Sequence, residues 1–455
     1  MAQETPSPIL SEHFQTREPS VIRTAQIEFL RRTDPVRAVN VAIGNVSLPM
    51  HPAMVRRMKA LGAEGSPFEN GAVKYTPTVG VDETRRAFLH ILASSGFPTE
   101  GLHVQVTDGG SAAMELAVLG VCGPAGSTKR PLLIIDPTYT NYTAMAARVG
   151  RPVVSVRRTL RSDGTFSLPD IGEIEKSILE HRPGALLVIP YDNPTGQLYS
   201  REQMADLARL AVLHNLWLVS DEAYRELLYT ESGVVSVWGL EEKDVPGITG
   251  RRISVESASK VWNACGLRIG ALITDNEELH RRAVAEATAN LCPNAIGQYI
   301  FAALLEESLP KLRAWYAEQR SYYRVLMRKL TAELASLLPG LIISSPDASI
   351  YSVVDVRELV PEEFDAMQFV LYCARQGAVE QAGGRYTLLT APMSGFYRAA
   401  PGTLNPGRTQ MRIAYVEPPE LMKLVPGLFA ALLEVFLHTP PVLRKPVKVG
   451  TAICS

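Results

Sequence analysis

Short apolar runs alternate with longer amphipathic ones from about Leu102 to Thr274, and no other feature of the sequence limits the possible folds as much. A run that is apolar throughout suits a strand buried on both faces, and apolar residues at helical spacing suit a helix laid on a sheet. The candidate strands are 103–107, 131–135, 153–156, 185–189, 216–220, 253–256 and 270–274. Between two of them Ser200 and Gln203 form a capping-box pattern, followed by Met204, Leu207, Ala208 and Ala211 at i, i+3, i+4 and i+7. The expected class is α/β, a mostly parallel sheet with helices on both faces.

After about Asn276 the pattern turns predominantly helical through residue 335 and leaves the sheet. A mixed section follows, with strands expected at 341–345, 349–355 and 410–416 and helices at 361–376 and 419–438. Residues 394–408, rich in Gly and Pro, read as a loop, and residues 439–455 as a surface tail with three prolines. The expected domains are an arm and part of a small domain at 1–50, a large domain at 51–305, a connecting long helix at 306–340, a small domain at 341–438 and the tail.

Composition removes several functions. The 455 residues hold 46 Lys+Arg against 47 Asp+Glu, a net charge of −1, which leaves no surplus to hold a polyanion; nucleic acid is not an expected partner. The first residues lack a basic segment followed by an apolar one, and no later stretch reads as long enough and apolar enough to span a bilayer. A cytoplasmic protein without a membrane partner is expected. Five cysteines, an odd number without a CxxC pair, argue against disulfides and a zinc cluster, and the eight scattered histidines against a helical metal site. The chemistry should come from an organic cofactor or from side chains alone.

In open α/β sheets ligands bind beyond the carboxyl ends of the strands. Strand 185–189 runs into Pro190-Tyr191-Asp192-Asn193-Pro194-Thr195-Gly196, and strand 216–220 into Asp221-Glu222-Ala223-Tyr224. Strand 253–256 runs into Ser257-Ala258-Ser259-Lys260 and then Gly266-Leu267-Arg268-Ile269-Gly270. These motifs, NPTG, DxAY and SxSK followed by GLRIG, resemble in order and spacing the fold type I aminotransferases that use pyridoxal 5′-phosphate, in the class I/II branch related to aspartate aminotransferase. The resemblance runs over about residues 41–416.

It implies a PLP-transferase fold of type I, with a smaller α+β domain built from both chain ends. It also implies roles. Lys260 would form the Schiff base with pyridoxal phosphate and shuttle the proton at the substrate α-carbon. Asp221 would keep the pyridine nitrogen protonated, and Asn193 and Tyr224 would hydrogen-bond the phenolic oxygen. Tyr139 would stack on the ring. Ser257, Ser259 and Arg268 would hold the phosphate, facing Gly109, Gly110 and Ser111 at a helix N-terminus. Tyr75 would reach the phosphate of the neighbouring subunit, which implies a homodimer with shared sites. Arg412, with Asn193 and the backbone at Gly44, would bind the substrate α-carboxylate.

Singly, each of these residues has a plainer reading. A lone lysine is a solvated surface charge, a Gly-Gly turn a tight connection, an aspartate after a strand a helix cap, an Asn-Pro a turn, and a buried tyrosine core packing. Their joint spacing is what gives them weight. The expected activity is an aminotransferase that moves an amino group from an L-amino acid to a 2-oxo acid, with 2-oxoglutarate as acceptor, in a ping-pong cycle. The alternative is another pyridoxal-phosphate reaction on this fold: a β-lyase, a cyclase such as an aminocyclopropane-carboxylate synthase, a decarboxylase or an oxidase. A non-catalytic sensor would need a DNA-binding module, and the 40 residues before Val41 show no basic helix-turn-helix pattern. A dinucleotide enzyme is disfavoured because GxGxxG is absent after strand 103–107. No arginine lies between Arg282 and Arg313, and Ser111 stands where one branch has lysine; both count against a dedicated aspartate enzyme and favour a neutral or aromatic amino acid.

Overall fold

The computed structural model describes residues 9–122, 130–344, 346–398 and 402–440. Its strands in chain order are β1 Arg37–Asn40, β2 His103–Thr107, β3 Leu132–Asp136, β4 Val153–Arg157, β5 Ala185–Val188, β6 Trp217–Asp221, β7 Arg252–Ser257, β8 Gly270–Thr274, β9 Ile342–Ile343, β10 Tyr351–Asp355, β11 Val379–Gln381, β12 Gly384–Leu389, β13 Ala391–Pro392 and β14 Gln410–Ala414. Seven of them form one sheet in the order β2-β8-β7-β6-β5-β3-β4. Neighbours from β7 to β4 are parallel, and β8 runs antiparallel to both β7 and β2. Every residue of β3, β5 and β8 is buried, the pattern of strands covered on both faces.

All seven strands of this sheet fall where the apolar runs place them, within a residue or so at each end. The covering helix Arg201–Leu213 begins at Ser200 with both capping-box bonds present, and buries Met204, Leu207, Ala208 and Ala211 against the sheet. Around the turn after β2, Gly270 sets the spacing: a Cβ there would lie 2.5 Å from the Gly109 carbonyl carbon and the Gly110 nitrogen. Only a residue without a side chain lets β8 pass so close to the start of helix Gly110–Cys122.

Two smaller sheets complete the fold. One is antiparallel, β13-β14-β10-β9; the other is β1-β12-β11, in which β1 from the start of the chain pairs parallel with β12. Just after β1, the Val41 amide donates to Leu389 O at 2.9 Å and Val41 O accepts from Ala414 N at 2.8 Å, so the early segment is stitched between both sheets. The architecture is α/β, with a smaller α+β part to which both ends of the chain contribute.

Several details differ from the sequence expectation. Helix Ala366–Arg375 starts five residues later than expected, because the Asp365 carboxylate caps it by accepting from the amides of Met367 and Gln368. The helical stretch before it is three helices, Glu277–Ala287, Ala295–Ala302 and Leu309–Leu337. Strand β9 is two residues long, and position 345 lies outside the described residues. Strands β1, β11, β12 and β13 were not expected; they are short, and pairing rather than alternation defines them. The segment Pro419–His438 does have the length and mean hydropathy, 1.6, of a membrane span, contrary to the sequence reading. It is broken into Pro419–Met422 and Val425–His438, and Leu428, Phe429, Leu432 and Phe436 are buried in the core as those of an internal helix are. Positions 441–455 of the expected tail lie outside the described residues.

One packing detail gives stability a pH dependence. His51 caps helix Pro52–Lys59: its Nδ1 accepts from the Ala53 amide at 3.2 Å, which requires a neutral ring. Trp262 and Trp315 pack against the ring, and burial holds its pKa below the ordinary 6.5, opposed by Glu307 and assisted by Arg56 and Lys311. With a folded pKa below the unfolded one, this contribution is complete above pH ~6.5 and is lost as the pH falls. His51→Asn keeps a capping acceptor and cannot titrate. The melting temperature of the native chain should therefore drop more between pH 7 and pH 5 than that of His51→Asn, and parallel curves would contradict this role.

Candidate active site

A cavity of about 690 Å³ opens at the carboxyl ends of β3, β5, β6 and β7, and segments after β1 and β14 close its other side. Its lining includes Gly44, Gly110, Ser111, Tyr139, Asn193, Asp221, Tyr224, Ser257, Ser259, Lys260, Arg268 and Arg412. Twelve of the fourteen residues singled out in the sequence thus border one space. Gly109 sits just behind the wall, and Tyr75 is elsewhere, 79% exposed on the loop before Gly80.

One end of the cavity is a cup of donors. Gly109 has φ +84°, and a Cβ on it would lie 2.2 Å from Arg268 Nη2, so the guanidinium rests directly on the glycine turn. Arg268 Nη1 donates to Cys265 O at 3.1 Å. Ser257 Oγ donates to Ser259 Oγ at 2.8 Å and accepts from the Ser259 amide at 3.1 Å, a tight turn that turns both hydroxyls to the cavity. Opposite them begins helix Gly110–Cys122, whose first amides have no carbonyl within the helix and whose dipole is positive at this end. Hydroxyls, amides and a guanidinium converging on one place make a receptor for a phosphate dianion.

At the middle of the wall Asp221 ends β6. Its Oδ2 accepts from the Tyr142 hydroxyl at 2.6 Å and its Oδ1 from the Ala223 amide at 3.1 Å. Burial raises its pKa despite the Tyr142 bond. Tyr139, three residues after the end of β3, has its hydroxyl pushed up to about 12, chiefly by burial. Tyr224 and Tyr351 share a hydrogen bond of 2.7 Å between hydroxyls, and burial together with this neighbour holds the Tyr224 proton in place well above the usual phenol range.

The opposite end holds two basic side chains on one short segment. Lys260 Nζ donates to Gly44 O, and Arg412 Nη2 donates to Ala42 O at 2.6 Å. Arg412 is 1% exposed; its Nη1 donates to Asn193 Oδ1 at 2.8 Å, and its guanidinium lies 4.2 Å from the centre of the Tyr351 ring and 5.0 Å from that of Phe396. Among the described residues its buried Nε has no hydrogen-bond partner. Gly44 has to be glycine: a Cβ there would lie 2.2 Å from the Tyr351 hydroxyl oxygen and 3.1 Å from Lys260 Nζ.

Sequence reasoning missed several participants. Tyr142 and Tyr351 gave no signal apart from ordinary core tyrosines. Phe396 comes from the segment read as a loop near the entrance, which in fact reaches the site: the Phe396 carbonyl accepts from Thr138 N at 2.9 Å and Arg398 N donates to Asp136 Oδ2 at 2.6 Å. Positions 399–401 of that loop lie outside the described residues. Arg158, just past β4, is buried, and its Nη2 donates to Pro137 O at 2.8 Å and to Asp192 Oδ2 at 2.9 Å. One guanidinium thus ties the turn that carries Tyr139 to the turn that carries Asn193.

The residues present fit pyridoxal phosphate. A buried carboxylate whose burial disfavours its charge matches a protonated ring nitrogen, the donor cup matches a phosphate, and Lys260 supplies the primary amine. Fold and site together define a pyridoxal-phosphate-dependent aminotransferase. The sequence profile described as "Aminotransferase class I and II" matches residues 38–409, and the chain belongs to that family. It is 27% identical over 368 residues to the aspartate/prephenate aminotransferase of Thermus thermophilus, covering 80% of this chain and 88% of that one. To the aspartate aminotransferase of Sulfolobus acidocaldarius it is 26% identical over 264 residues, 58% of this chain and 62% of that one. Among solved structures, the N-succinyldiaminopimelate aminotransferase of Mycobacterium tuberculosis superposes with a TM-score of 0.77 at 23% identity, covering 93% of this chain and 100% of that one. The T. thermophilus aspartate aminotransferase with maleate superposes at 0.75 and 24%, over 94% and 100%.

The Arg158–Asp192 pair is open to test. Removing one partner of a buried ion pair leaves the other charge desolvated and unopposed, at about 3–5 kcal/mol. Arg158→Met should lower stability by about that much in denaturant unfolding, and Arg158→Met with Asp192→Asn should recover part of the loss. Purely additive costs would show that the two groups do not act as a pair.

Proposed function

We propose that the enzyme carries an amino group from an L-amino acid to a 2-oxo acid, with 2-oxoglutarate as acceptor, and that donor and acceptor occupy the same cavity in turn. The observation that carries this reading is the placement of Lys260 Nζ and the Arg412 guanidinium on the carbonyls of Gly44 and Ala42. An amine that can take a proton and a cation that can hold a carboxylate stand side by side, as chemistry at an amino-acid α-carbon requires.

When bound, pyridoxal phosphate supplies an electrophilic aldehyde carbon and an electron-accepting ring. The protein supplies the rest. Arg412 offers a planar fork to the substrate α-carboxylate and so fixes the orientation of the Cα–H bond. Lys260 Nζ, held near that carbon by Gly44 O, takes the α-proton and returns one during the exchange. Asp221, its carboxylate held by the Tyr142 hydroxyl, would stabilise a proton on the ring nitrogen of the bound cofactor. Tyr224, whose proton burial retains, donates toward the phenolic oxygen, while Asn193 holds Arg412. Burial of Arg412 and the tyrosines excludes water from the space around the reacting carbon.

The names of related proteins, aspartate/prephenate and N-succinyldiaminopimelate aminotransferases, support amino and oxo acids as the substrate class. A homodimer belongs to the same proposal: Tyr75 is exposed on a single chain, together with Val73 and Leu291, and a partner chain would cover them and receive Tyr75 at its own phosphate cup. The division into a large unit at 51–305, a connecting helix at 306–340 and a small unit at 341–438 joined by residues 1–50 is likewise proposed, and the pairing of β1 with β12 favours it. So is a cytoplasmic location, which rests on the sequence alone.

Adding pyridoxal phosphate to the purified chain should generate an absorption band in the near-UV or visible that Lys260→Ala abolishes. With an amino acid and 2-oxoglutarate the loaded enzyme should release glutamate. Ammonia or pyruvate without glutamate would mark a lyase and overturn the transfer reading. Sedimentation should give twice 49.8 kDa, and a single-chain mass at assay concentration would remove the shared-site proposal.

A further inference from the structure

An acceptor such as 2-oxoglutarate carries two carboxylates, and an apolar or neutral wall would leave the distal one desolvated without a partner. The following inference rests on the proposed acceptor and asks where that second carboxylate goes. The charged side chains that line the cavity are Arg23, Asp221, Lys260, Arg268, Arg412 and Glu417. Lys260, Arg268 and Asp221 face the cofactor site, and Arg412 serves the α-carboxylate. Glu417 is acidic, and its carboxylate already accepts from the Asn40 amide at 3.2 Å, so it offers no positive charge to a second carboxylate. Arg23 remains. Among the described residues its guanidinium has no ion pair and no hydrogen bond, unlike that of Arg412, which is already tied to Asn193 and Ala42.

The helix that carries Arg23 is held in place by its neighbours. It lies in the first turn of helix Val21–Phe29, which is anchored by the buried Ile22 and Ala25. Val21 packs so closely on the loop after β13 that a Cβ at Gly395 would lie 2.4 Å from Val21 Cγ2. Ser20, Ile22 and Gln26 of the same segment line the cavity with it, so one face of the helix forms a wall of the site. Arg23, Tyr139 and Arg412 border the same cavity.

We propose that Arg23 is the specificity-determining cation for the distal carboxylate of the acceptor, so that a short dicarboxylic 2-oxo acid is held between Arg412 and Arg23. Because Arg23 is exposed, it remains hydrated when a neutral side chain occupies the cavity, so one site serves an uncharged donor and an acidic acceptor in turn.

Calorimetric titration of the cofactor-loaded enzyme with glutarate and with pentanoate, which differ by the second carboxylate, tests this without turnover. The native enzyme should bind glutarate about tenfold or more tightly than pentanoate, a difference of about 1.4 kcal/mol. Arg23→Gln should remove that preference while leaving pentanoate affinity unchanged, which also reports an intact fold, and Arg23→Lys should restore part of it. A native enzyme without the preference, or an Arg23→Gln variant that keeps it, would overturn the proposal. If Arg23→Gln loses the preference but the native enzyme does not turn over 2-oxoglutarate, Arg23 stands as the carboxylate site and the choice of acceptor falls.

Discussion

Two basic side chains share a three-residue perch. Lys260 comes from the turn after β7 and Arg412 from β14 in a different sheet, yet both end on carbonyls of Ala42 and Gly44. Val41, the residue just before that segment, is itself held by backbone bonds to Leu389 and Ala414. Gly44 is the tight point, because Tyr351 and Lys260 fill the volume that a side chain would need. The same tyrosine touches Tyr224 on one side and stacks beneath Arg412 on the other, so the perch, the carboxylate fork and the phenolic donor form one packed unit.

Charge burial is the second constraint. Asp221 carries a desolvation cost that Tyr142 and Ala223 only partly offset, and Arg412 keeps a buried nitrogen without a partner. A chain selected for stability alone would replace such groups with apolar ones. Their persistence at one cavity, next to a cup of donors and a primary amine, is intelligible when a cofactor and a substrate complete the pairs. Behind them, Arg158 and Asp192 form an internal ion pair that holds the turns that present Tyr139 and Asn193.

The large sheet was legible because its strands are long apolar runs with turn residues at both ends, and the site residues stand just past those ends, where the topology of an open sheet brings them together. The short strands β1 and β11 to β13 were not, since two to six residues carry too little alternation and depend on partners far along the chain. Arg412 was readable through its strand and motif. Tyr351 was not, because a tyrosine on a strand looks the same whether it packs in a core or touches a site. Arg158 follows an edge strand and reads as a surface charge until the fold closes over it. Tyr75 shows the opposite limit: a single chain leaves it at the surface, and only a partner could give it a site.

The central claim is that Lys260 is the amine that meets the cofactor. Loading the protein with pyridoxal phosphate, reducing with borohydride and mapping the modified peptide by mass spectrometry tests it most directly. The account predicts a phosphopyridoxyl group on Lys260 in the segment between Ser257 and Arg268. A label on another lysine, or none after reduction of a coloured sample, would contradict it.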